Sequence, residues 1–233
     1  PVTVSLTPKG YYLGEANGQT VFYIEISDSG HYNFTLMQPL DHPNAGSANE
    51  AINLQFGVVA TDVDGDATDG TLTITVRDDG PLVSNSSVSV DESNANQTAH
   101  GHVNFDAGFD GGTIDVNKNG VEFRDGNGNA LNLGITVVQI NNHEFTGVNA
   151  QNVAIFRLTI DPQTGDYTYT QLQPFDHPNS NNPNDVITVS FDTVVTDGDG
   201  DTRTGEINVN VYDDGPVAHN DASSMTRHQT QAT

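Results

Sequence analysis

Residues 187–211 read ITVSFDTVVTDGDGDTRTGEINVNV, and this stretch decides the fold. Ile187, Val189 and Phe191 alternate with polar residues, as do Ile207, Val209 and Val211. A period of two turns one face of each run toward a core and the other toward water, which predicts two strands. Between them lies Asp197-Gly198-Asp199-Gly200-Asp201, built from residues that favour tight turns.

The same pattern stands 135 residues earlier. Thr61-Asp62-Val63-Asp64-Gly65-Asp66 precedes Thr196–Asp201 by that interval, flanked by Ile52, Leu54 and Phe56 on one side and Leu72, Ile74 and Val76 on the other. Gln38-Pro39-Leu40-Asp41-His42-Pro43-Asn44 returns as Gln173-Pro174-Phe175-Asp176-His177-Pro178-Asn179, and Asp78-Asp79-Gly80-Pro81 returns as Asp213-Asp214-Gly215-Pro216. Phe22, Ile24 and Ile26 match Phe156, Leu158 and Ile160 after a one-residue slip. A unit this long is a tandem module, because solenoid repeats run to roughly 20 to 47 residues. The boundary falls near Pro81. Residues 1–81 read as a truncated copy, 82–216 as a complete copy carrying an extra Gly-, Asp- and Asn-rich stretch from Ser87 to Leu133, and 217–233 as the start of a further copy or a polar tail. Helical periodicity is absent, so the expected fold is all-β, with tandem antiparallel sandwiches joined by Greek-key-like links.

Thirty-one acidic residues against seven basic ones give a formal charge of -24. Such a chain repels itself unless cations neutralise the carboxylates. Nucleic acid and anionic membrane surfaces are excluded as partners, since both need clustered Lys or Arg. With no Cys, neither a disulfide framework nor a thiolate metal site can hold the fold, so any staple must use oxygen ligands. No apolar run has membrane-spanning length. The chain opens in a strand-like pattern at Pro1-Val2-Thr3-Val4 without a signal peptide, and is expected to be a fragment whose targeting signals lie elsewhere.

Alternate Asp residues separated by Gly can aim several carboxylates at one point, which is how a hard cation needing six to eight oxygens is held. Asp62, Asp64 and Asp66, with Asp197, Asp199 and Asp201, are therefore calcium-ligand candidates; the bland alternative is a solvated Asp-Gly turn. Asp78, Asp79, Asp213 and Asp214 sit where one unit hands over to the next. Adjacent like charges in a short linker are unfavourable without a counter-ion, so they are candidates for interdomain calcium. Asp115, Asn117 and Asn119, followed by Gly120, reproduce the first half of an EF-hand loop, but the twelfth position is Gly126 in place of a bidentate Glu. A calcium site on a β-loop, helped by Asp125, Asn127 or Asn129, is the alternative there. His42 and His177 each follow an Asp in a Pro-bounded turn, and they read as turn residues because neither has a Cys or second His at zinc-ligand spacing. No catalytic fingerprint appears, and acid–base work needs a few carboxylates in special environments, not many in turns. The chain is expected not to be an enzyme.

The string from Gly30-His31-Tyr32-Asn33-Phe34 through Gln38–Pro43, then Ala60–Asp66 and Asp78–Pro81, resembles the type I secretion "143-residue" repeat of giant RTX adhesins. That resemblance implies Ig-like or cadherin-like β-sandwiches, exported unfolded and folded outside the cell by several calcium ions, on a bacterial surface adhesin that serves attachment and biofilm formation. The RTX nonapeptide pattern is not present, which fits a segment from the middle or outer region of its parent. The expected role is extension and presentation of the adhesin by a monomeric chain partnered by neighbouring modules. The alternative is a calcium-dependent module gripping a host or microbial surface peptide or glycan through the loops of residues 87–133.

Overall fold

In a computed structural model the chain is described over residues 1–42, 50–93, 96–141, 143–179, 181–182 and 184–214. Every regular element among the described residues is a β-strand. None of them forms a helix long and apolar enough to cross a membrane.

The first repeat builds a four-stranded antiparallel meander from β1 (Thr3–Leu6), β2 (Tyr12–Ala16), β3 (Gln19–Ile26) and β4 (Tyr32–Leu36), in that order. A hairpin of β5 (Ala51–Thr61) and β6 (Ala67–Arg77) follows. Val21, Phe22, Ile24 and Phe56 are buried between them, with Leu54, Leu72 and Ile74 packed alongside. Phe22 meets Phe56 edge-on at 5.9 Å between ring centres, a favoured aromatic geometry.

The second repeat is fuller. A short ribbon pairs β7 (Leu82–Val83) with β10 (Phe105–Asp106). One sheet runs β12 (Ala130–Leu131), β11 (Gly112–Asp125), β17 (Val186–Asp197), β18 (Thr202–Tyr212), β8 (Ser86–Asp91), with β8 parallel to β18. The other runs β13 (Thr136–Asn141), β14 (Glu144–Val148), β15 (Ala154–Ile160), β16 (Asp166–Gln171), β9 (Gln97–His102). Their inner faces share one apolar cluster in which Phe156 touches Phe191 at 5.7 Å and Tyr169 at 5.6 Å. This is a β-sandwich.

The two copies differ in what surrounds an equivalent hairpin. Ile187, Val189, Val209 and Val211 are fully buried, whereas their counterparts Ile52, Leu54, Ile74 and Val76 are only half-buried. The stretch 87–133 accounts for the contrast. Its sequence reads as extra loops, but it supplies nearly all of β8 to β12, which flank the β17–β18 hairpin on both sides and add β9 to the facing sheet. The first copy has no such strands among its described residues, so β5 pairs with β6 alone.

A glycine opposite an aromatic ring marks the register in both copies. Gly14 pairs with Phe22 and Gly147 with Phe156, and a Cβ on either glycine would collide with the ring lying over it. Ring and glycine together fill one site on the sheet face, an arrangement that resists slippage.

Candidate metal centres

The two Asp-rich loops have the same backbone. Asp62 N–H donates to the Asp66 carbonyl at 3.0 Å, and Asp197 N–H donates to that of Asp201 at 3.1 Å. In each loop the first carboxylate accepts from the fourth and fifth residues: Asp62 Oδ1 from Gly65 and Asp66 N–H, Asp197 Oδ1 from Gly200 and Asp201 N–H. Gly65 and Gly200 take φ of 98° and 102°, a left-handed conformation that side chains rarely adopt. The loop folds back on itself and crowds its carboxylates. Ligand oxygens of Asp62, Asp64 and Asp66 lie within 4.8 Å of one another.

Surroundings then separate the loops. Asp62, Asp64 and Asp66 are exposed, and the neighbouring Asp64 carboxyl with the loop N–H groups holds Asp62 below its usual range. The second loop is packed against the junction between the repeats: Asp201 is 1% exposed and Asp197 8%. Burial, reinforced by the Asp199 carboxyl, pushes Asp197 up to about 6.

The junction gathers carboxylates from both repeats. Asp110, in the turn after β10, joins Asp197 and Asp199 with ligand atoms within 4.8 Å, and Gly198 leaves the room that the Asp110 carboxylate occupies. From the linker, Asp79 Oδ2 accepts Phe109 N–H at 2.7 Å, which ties the linker to that turn. The Asp78 side chain is 7% exposed; desolvation first, then the Asp201 carboxyl and the charge of Asp199, push its carboxyl upward. Oδ2 of Asp78 and Oδ1 of Asp199 are buried without a hydrogen-bond partner. Buried carboxylate oxygens in such company are costly unless a cation meets them, and an oxygen-ligated divalent ion fits the donor set.

Each repeat also has a buried imidazole, His42 at this junction and His177 at the other end of β18. His42 Nδ1 lies 3.6 Å from Asp78 and 3.8 Å from Asp199, while the His42 N–H donates to Asp199 across the junction at 3.3 Å. His177 lies beside Glu92 and Asp213. Burial drives the Glu92 carboxyl up to about 7, with the charges of Asp213 and Asp214 adding to the shift against a hydrogen bond from Phe175. Asp213 N–H donates to the Asp185 carbonyl as Asp78 N–H does to that of Glu50, so the two linker starts are built alike. Asp214 is exposed. The linker glycine and proline at 215 and 216, and residues 217–233, lie outside the described residues.

Asp115, Asn117 and Asn119 do not converge on a loop. They lie within β11, where its register against β17 shifts between Val116 and Val121. Asp115 faces His143 at 3.4 Å, and Asn117 Oδ1 accepts the Asn119 N–H. Alternate residues of a strand share a face but stand about 7 Å apart along it, and the register shift interrupts the run, so the three oxygens are not gathered round one point as EF-hand spacing would gather them. Asp125 ends β11 at a separate turn, where the Asn129 side chain and the Asn129 and Asn127 N–H groups donate to it and hold its carboxyl low.

Glu92 and Asp110 are not among the residues that the sequence singled out. Neither lies in the stretch shared by both copies, so the 135-residue repeat gave no signal for them.

A protein family described as a domain of unknown function (DUF5801) matches residues 2–75 and 87–210, and the chain belongs to that family. No curated protein matches it.

Proposed function

We propose that this member of the DUF5801 family is a calcium-stabilised module of a large secreted bacterial surface adhesin, which extends and presents the adhesin for attachment and biofilm formation. The observation that carries this reading is the junction, where linker carboxylates Asp78 and Asp79 meet Asp110, Asp197, Asp199 and Asp201 of the following repeat. Calcium there would neutralise the cluster and tie one repeat to the next, and a stiff joint is what an extender needs. The resemblance to type I secreted RTX adhesins supplies the extracellular, bacterial-surface setting, and the charge of -24 suits a chain that folds where calcium is abundant. Extra loops were the argument for a peptide- or glycan-binding role; since residues 87–133 largely form strands, that alternative has less to rest on. Nothing in the donor geometry calls for catalysis, and the proposed role is non-enzymatic.

A cation that binds only the folded state contributes RT ln(1 + [L]/Kd), about 2.7 kcal/mol per site at a hundredfold excess. The melting temperature should therefore rise strongly from chelator to millimolar calcium. An unchanged melting temperature would sink the reading.

A further inference from the structure

The end of β8 is tied to the end of β18, because Glu92 N–H donates to the Tyr212 carbonyl at 3.0 Å. That bond sets Glu92 beside Asp213, and the turn that follows β16 brings in His177. Glu92 and His177 side chains are 2% and 5% exposed. Phe175 N–H and the Gln171 side-chain amide both donate to Glu92 Oε1, at 2.8 and 3.3 Å, which leaves Oε2 turned toward the imidazole. His177 Nε2 lies 3.3 Å from that oxygen without hydrogen-bond geometry, and neither ring nitrogen has a hydrogen-bond partner. Ligand atoms of Glu92, His177 and Asp213 all lie within 4.8 Å of one another.

We propose that Glu92, His177 and Asp213 form a binding site for a first-row transition-metal dication of the Zn2+ type, distinct from the calcium loops. Calcium prefers oxygen ligands throughout, whereas an imidazole nitrogen selects zinc and its neighbours in the series. Three protein ligands with a fourth position open is a familiar zinc arrangement, and the backbone and amide donors on Glu92 orient a ligating carboxylate from behind. The sequence argued against zinc because each histidine has no second His or Cys nearby in the chain. The ligands instead come from the ends of β8 and β18 and from the turn after β16. The first repeat keeps the His–Asp pair as His42 and Asp78, but the third group beside them, Asp199, belongs to the proposed calcium junction, so the zinc site is assigned to the second repeat alone. The assignment goes beyond the calcium reading and does not depend on it.

The test is zinc titration of the full chain in saturating calcium, by calorimetry, with His177→Asn, Glu92→Gln and Asp64→Asn in parallel. Wild type should bind one more equivalent of Zn2+ than His177→Asn, and Glu92→Gln should weaken that equivalent by about a hundredfold or more. Asp64→Asn should leave it unchanged. Zinc-edge X-ray absorption of the wild-type complex, which needs no variant to fold, should show imidazole nitrogen scattering. Identical zinc binding in wild type and His177→Asn, or an all-oxygen absorption signature, would overturn the site and leave an ordinary buried ion pair. The calcium response is read on the same samples, so failure here with that response intact counts against the zinc site alone.

Discussion

Asp62 and Asp197 begin loops of identical backbone, yet one carboxyl is held low and the other is pushed up to about 6. Burial makes the difference, and it carries a pH prediction. For Glu92 and Asp197 the folded values lie above the ordinary 4.5 and 3.8, so their contribution to stability is full below those values and is lost as pH rises through about 6 to 7. Asp62 and Asp166 are exposed and Asp125 half-buried; all three are shifted down, so the stability they contribute is full above about pH 4 and is lost only as pH falls below it. The metal-free chain should therefore melt at a higher temperature near pH 5 than near pH 7.5. Calcium should shrink or reverse the gap, because ligands must lose protons to bind it. Calorimetry of metal-free protein that melts higher at pH 7.5 than at pH 5 would contradict the buried-cluster account. At this scale the sequence displayed which carboxylates recur, but not which become buried. Asp64 and Asp199 look alike in the repeat, and only the fold sets Asp199 against His42 and leaves Asp64 in water.

Alternating apolar residues were enough to place the two hairpins, β5–β6 and β17–β18, and the recurrence of Phe22 and Phe156 placed the strands they face. What the pattern could not convey was the role of residues 87–133. Polar turn residues such as Asp115-Val116-Asn117-Lys118-Asn119-Gly120 dilute the alternation of β11, because the strand absorbs them as a bulge while its two arms stay paired with β17. Val88 and Val90 of β8 are only two apolar positions, too few to distinguish a strand from a polar loop by period. These strands matter energetically. β17 is hydrogen-bonded on both sides, by β11 and β18, whereas among the described residues β5 is bonded on one. Amides along β17 should exchange with solvent far more slowly than their counterparts along β5, since local opening is easiest where few buried contacts and bonds must break. Exchange read by mass spectrometry in saturating calcium, compared over Val186–Asp197 and Ala51–Thr61, tests this. Equal protection in the two strands would mean that the first repeat is completed in solution by strands beyond those described.

Across the whole molecule the charge of -24 and the absence of cysteine are the grounds on which divalent cations are proposed as the staple. Their placement at the junction is the central claim. Small, polar interfaces let domains swing by default, so a joint lined with Asp78, Asp79, Asp110, Asp197, Asp199 and Asp201 should loosen without calcium and stiffen with it. Small-angle X-ray scattering of wild type and of the Asp78→Asn, Asp79→Asn double variant, each in calcium and in chelator, measures this directly. Wild type should give a longer, narrower particle in calcium than in chelator, and the variant in calcium should resemble the loosened form while circular dichroism reports both repeats folded. Superimposable scattering profiles for wild type and variant in calcium would make those aspartates a plain linker and contradict the account.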